Sequence, residues 1–154
     1  MRNLIIAGVA LLAATPAQAH WQYAKWGMTP AQVIAAGDGK AKAAAGDKSV
    51  QGDTTRDVEA DYSPGDRVFR ASFWFDAIGL QKVTLSPTGE RRCLDLRRDL
   101  LAKYGEPVER DPGSVERLMW ADKPSNNRIV IILDGDSFCE LQYAPLVSRA
   151  GAGL

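Results

Sequence analysis

Arg67-Val68-Phe69-Arg70-Ala71-Ser72-Phe73-Trp74-Phe75-Asp76 is the stretch that decides the fold. Phe69, Ala71, Phe73 and Phe75 fall on one side of it, Val68, Arg70, Ser72 and Trp74 on the other. A period of two belongs to a half-buried strand, because successive side chains leave a pleated backbone in opposite directions. Ser63-Pro64-Gly65-Asp66 before it and Gly79 after it are turn signals. Strands are therefore expected on either side, over 54–62 and 80–86.

The next clear element is helical. Pro87 and Thr88 open it, and Tyr104-Gly105-Glu106-Pro107 closes it with glycine and a following proline. Cys93, Leu96, Leu100 and Tyr104 form its apolar stripe, widened by Leu101. Three further strands are expected over 115–121, 128–133 and 138–143. Asp134-Gly135-Asp136-Ser137 joins the last two and reads as a hairpin turn, since it lacks the spaced ligands of a calcium loop. Upstream, Thr29-Pro30-Ala31-Gln32 is a capped helix start, with Met28 and Val33 as a hydrophobic staple and Gly37 as the stop. Residues 38–53 show no period and read as an irregular link, with a helical turn over 41–45.

The order helix, three strands, helix, three strands suggests a duplication, and residues 80–87 align on 138–145 without a gap, Pro87 on Pro145. The expected fold class is α+β: a single antiparallel sheet of about six strands with two helices on one face. Phase then sorts the side chains. Cys93 lies on the buried stripe of its helix, so Cys139 points to the helix side, with Leu141 and Tyr143. Val83 and Leu85 face the same way, whereas Leu80, Lys82, Thr84, Phe138, Glu140 and Gln142 face away.

Cys93 and Cys139 are the only cysteines. The first residues explain them. Arg2, an apolar core over 4–14, Thr15-Pro16 and Ala17-Gln18-Ala19 follow the order of a cleavable signal peptide. Residues 1–19 are thus expected to be removed after Ala19, leaving residues 20–154 as one periplasmic or secreted domain. In an oxidising compartment two cysteines read as one disulfide. The apolar core is too short to span a bilayer, and no cysteine follows the cut to carry a lipid.

Composition narrows the function. Nineteen Lys and Arg balance nineteen Asp and Glu, which argues against nucleic acid as a partner. Arg91, Arg92, Arg97 and Arg98 cluster, but Glu90, Asp95 and Asp99 are interleaved with them as on a solvated helix face. His20 is the only histidine. Freed by cleavage, it would offer an amine and an imidazole to Cu(II), and this is the one metal reading the chain permits. A copper enzyme's histidine brace needs a second histidine, and a Ser-His-Asp triad would need that chain end to fold inward. Asp57, Glu59 and Asp61 alternate on one strand side as solvated residues do. No catalytic constellation, cofactor or metal site is expected.

Trp26-Gly27-Met28-Thr29-Pro30-Ala31-Gln32-Val33 and Lys103-Tyr104-Gly105-Glu106-Pro107 resemble segments of bacterial envelope modules. The chain is similar in topology to BamE/SmpA-like domains and to the two-repeat β-lactamase-inhibitor-protein fold. That resemblance implies protein binding through the sheet, in envelope assembly or in inhibition of a secreted or periplasmic enzyme. It transfers no functional residue, and the missing lipidation cysteine departs from BamE. The expected working surface is the uncovered sheet face: Arg70, Trp74, Lys82, Thr84, Glu140 and Gln142, with a protein of the cell envelope as partner. The alternative for Trp74 is cover from residues 20–25, which carry Trp21 and Tyr23.

Overall fold

A computed structural model describes residues 20–46, 48–90 and 92–146; the expected signal peptide and Arg91 lie outside them. The chain order is β1 (His20–Trp21), β2 (Ala24–Lys25), α1 (Pro30–Ala36), β3 (Ala41–Ala43), β4 (Val50–Gln51), β5 (Thr54–Tyr62), β6 (Phe69–Asp76) and β7 (Gly79–Pro87). It continues with α2 (Cys93–Tyr104), β8 (Glu109–Asp111), β9 (Glu116–Asp122), β10 (Asn127–Asp134) and β11 (Phe138–Pro145).

The expected fold class is corrected. Among the described residues the main antiparallel sheet has nine strands, in the order β3-β5-β6-β7-β11-β10-β9-β8 with β4 also on β5, and β1 and β2 form a separate two-stranded sheet. The molecule is mostly β. The strands that sequence periodicity missed are short. Residues 41–45 are not a helical turn: Ala41 to Ala43 pair with Val58 to Ala60, and Val50 and Gln51 pair with Thr55 and Thr54. Glu109-Arg110-Asp111 pairs with Arg117 to Met119 although all three side chains are exposed and charged. Such segments are strands because a neighbour offers them a ladder, and no burial pattern marks them.

The stretch that decides the fold is an interior strand of the sheet, between β5 and β7. β7 in turn meets β11, with Thr84 opposite Gln142, so the segments 80–87 and 138–145 are antiparallel neighbours. One phase assignment fails. Leu80 faces the core rather than away, because Phe75 pairs with Leu80 while Trp74 pairs with Lys82, leaving Gln81 as an extra residue. A second shift, between Arg56 and Val58, leaves Asp57 extra in β5.

The core lies on one face of the sheet. Phe69, Ala71, Phe73, Val83, Leu85, Ile129, Ile131 and Leu141 belong to it, and Val33 of α1, Leu96 and Leu100 of α2, and Trp21 and Ala24 of the small sheet close over them. The segment 20–25 therefore covers this face and not Trp74: the Trp21 ring lies 5.5 Å from Phe73 and 5.1 Å from Tyr62.

Helix α2 begins later than expected, since Pro87 still belongs to β7, and its start is held from outside. Cys93 is bonded to Cys139 with Cα atoms 5.6 Å apart. The Asp136 carboxylate, in the β10–β11 turn, accepts the Leu94 amide at 2.9 Å, a favourable charge at a helix start. At the other end Trp120 Nε1 donates to the Gly105 carbonyl at 2.9 Å. Helix α1 has the expected capping box, Thr29 to Gln32. Its approach is fixed by Gly27 and Met28, whose backbones bond Leu80 at 2.9 and 2.8 Å. Gly79 lies so close to Gly27 that a side chain there would strike its carbonyl.

Candidate functional site

The opposite face of the sheet follows from the same alternation. Arg70, Ser72 and Trp74 of β6, Lys82 and Thr84 of β7, and Phe138, Glu140, Gln142 and Ala144 of β11 alternate with core residues. Trp74, Val130 and Ala144 are buried yet stand outside the core cluster.

At its centre is a fixed polar–aromatic group. Trp74 is 5 % exposed and its Nε1 donates to Thr84 Oγ1 at 3.1 Å, while Thr84 is itself 2 % exposed. The Lys82 ammonium lies 4.7 Å from the Trp74 ring centre and donates to Gln51 Oε1. Burial holds that ammonium below the ordinary lysine range; Glu140 works against the depression and Arg128 adds to it. Beside it Gln142 Nε2 donates to Glu140 Oε1 at 2.8 Å. All six residues expected from the sequence therefore lie on this face, arranged as two groups, with Arg70 in a third.

Arg70 bridges Asp61 at 3.2 Å and Glu59 at 3.4 Å, and Lys42 reaches the other Glu59 oxygen at 3.6 Å. The reading of Asp57, Glu59 and Asp61 as alternating solvated residues is corrected here. Glu59 is 4 % exposed, and Asp57 stands at the β5 irregularity with Lys48. A buried carboxylate is stable only when paired, and Glu59 has two cations.

The two ends of the face differ. Val68, just before β6, and Phe138, at the start of β11, stand exposed. At the other end Lys82 and Arg128 border a cleft of about 280 Å³ with Gln51, Thr54 and Asp76. Sequence reasoning placed Val68 and Phe138 on this side without reading them as contacts, and missed Arg128 and Gln51 altogether. Arg128 becomes a neighbour of Lys82 only through the register that sets it opposite Ala144.

The remaining candidates lie elsewhere. His20 is exposed at the start of β1, where its carbonyl accepts from Asn127 Nδ2 at 3.1 Å. Among the described residues no group of three or more His, Cys, Asp or Glu is placed to hold a metal ion. Arg92 pairs with Asp66 and Asp95, Arg97 with Glu116 and Arg98 with Asp95, so these three arginines are neutralised along α2. No helix of the described residues is long and apolar enough to cross a membrane. Comparison of the chain with protein-family models, with curated proteins and with solved structures finds no match in any of the three.

Proposed function

We propose that this chain is an exported, non-catalytic binding domain that docks a protein of the cell envelope on the open face of its sheet. One observation carries the reading: α1, α2 and the small sheet all close over the other face, while this one has a rigid Trp74–Thr84–Lys82 group and exposed Val68 and Phe138 at one end. Interfaces concentrate their binding free energy in aromatic and arginine side chains held in place before the partner arrives. The signal-like residues 1–19 and the Cys93–Cys139 bond support an oxidising destination. The same face would serve an inhibitor of a periplasmic enzyme, and the identity of the captured partner separates the two roles.

The test is crosslinking capture from the native envelope fraction by the tagged chain and two variants. Val68→Ser with Phe138→Ser alters the face at exposed positions; Arg98→Glu alters the exposed side of α2. One protein recovered by the wild type and by Arg98→Glu, and lost with the double variant at unchanged circular dichroism, is the expected result. Equal recovery by all three, or no protein recovered by any, rejects the proposal.

A further inference from the structure

We infer that the cleft between Lys82 and Arg128 is a carboxylate-binding subsite, which accepts an acidic side chain from a segment of the protein partner; this rests on the face being the docking surface. The argument is one of unspent donors. Among the described arginines, Arg67, Arg70, Arg92, Arg97, Arg98, Arg110 and Arg117 each have a carboxylate within ion-pair distance. Arg56 is held by the Ala45 carbonyl. The Arg128 guanidinium is exposed, has neither ion pair nor hydrogen bond among the described residues, and borders the same cleft as Lys82.

Lys82 is bound only by neutral groups, the Gln51 amide oxygen and the Trp74 ring. Asp53 and Asp76 also line the cleft and Glu140 acts on Lys82 through space, but among the described residues no carboxylate comes within ion-pair distance of either cation. The carboxylate of Asp76 is already committed. One oxygen accepts from the Ile78 and Gly79 amides at 2.8 and 3.1 Å and from Gln81 Nε2 at 3.1 Å. An incoming carboxylate would take a forked pair of bonds from the Arg128 guanidinium and one from the Lys82 ammonium, charge-assisted bonds in a partly dehydrated site. The cleft's volume of about 280 Å³ admits a glutamate side chain. Asp53, exposed on the rim, opposes the incoming charge.

The experiment is a nuclear magnetic resonance titration of the full domain with acetyl-Gly-Glu-Glu-Ser-amide, following the Arg128 Nε–H signal. Its glutamine counterpart, acetate and inorganic phosphate are the comparison ligands. Saturable shifts with the glutamate peptide alone are expected. Arg128→Gln should weaken binding by about tenfold, the loss of one charge-assisted pair, and Asp53→Asn should tighten it. Phosphate or acetate binding as tightly as the peptide, or an affinity unaffected by Arg128→Gln, overturns the inference. No binding of the peptide, while the Val68→Ser with Phe138→Ser variant still loses its partner, removes the subsite and leaves the docking face standing. Peptide binding combined with partner recovery that ignores that double variant rejects the face and leaves a bare carboxylate site.

Discussion

Phe73 and Trp74 follow one another in β6 and are almost equally hidden, at 0 % and 5 % exposed, yet they sit in opposite surroundings. Phe73 is walled by Trp21 and Tyr23, and belongs to the continuous apolar core under α1 and α2. Trp74 lies outside that core, with its nitrogen bonded to Thr84 and its ring under the Lys82 ammonium. One face of the sheet is dehydrated because other elements cover it. The other is ordered by polar bonds among its own side chains, which leaves its surface available. Stability resides chiefly on the first face, and the docking we propose falls on the second.

Phe73→Ala should make the largest difference between them. Removing a fully buried phenyl ring costs about 3–5 kcal/mol in lost transfer free energy and residual cavity. Urea denaturation should show a midpoint lowered accordingly. If the loss were no larger than for a change at Trp74, the division of labour between the faces would be wrong.

The sequence made this division legible only in part. Period-two patterning in β6 and the apolar stripe of α2 marked both partners of the core, and the cysteine phase assigned Cys139 to the correct side, where Cys93 meets it. The Cys93–Cys139 bond itself closes a loop of 46 residues and stabilises by about 4 kcal/mol on the chain-entropy model. What escaped has physical reasons. Glu109-Arg110-Asp111 buries no side chain and Ala41-Lys42-Ala43 only Ala41, too little for a pattern to announce either as a strand. Leu80 was assigned to the wrong side because a single extra residue, Gln81, reverses the phase beyond it. On the open face the six expected residues were reachable by alternation within strands. Arg128 was not, since its place beside Lys82 depends on the long-range pairing between β7 and β11, which no local signal encodes.

Trp74→Phe sharpens the comparison at a smaller scale. An aromatic ring under Lys82 is kept, though a smaller one, while Thr84 loses the donor 3.1 Å away. One neutral hydrogen bond between buried groups is worth about 1 kcal/mol. A stability loss of about that order, with the helices undisturbed by far-ultraviolet circular dichroism, is expected. A loss as large as that of Phe73→Ala would mean that Trp74 acts as a second core.

The smallest effect is expected at the rim of the covered face, where charge replaces burial. Arg92 ties Asp66, in the turn before β6, to Asp95 of α2 at 2.7 and 2.8 Å. Its hydrogen bond holds each carboxyl below the ordinary value of 3.8. A carboxyl whose value is depressed by folding stabilises the folded state above the ordinary value and ceases to as pH falls through the depressed one. Arg92→Gln releases both groups toward 3.8, so the variant should melt slightly below the wild type near neutrality. The gap should close as pH drops through and below the carboxylate range. High salt should also narrow it at neutral pH, because these charges are exposed and screened. A melting difference that stays constant from neutral to strongly acid conditions would show that Arg92 acts by packing. The rim would then belong to the covered face's core rather than standing apart from it.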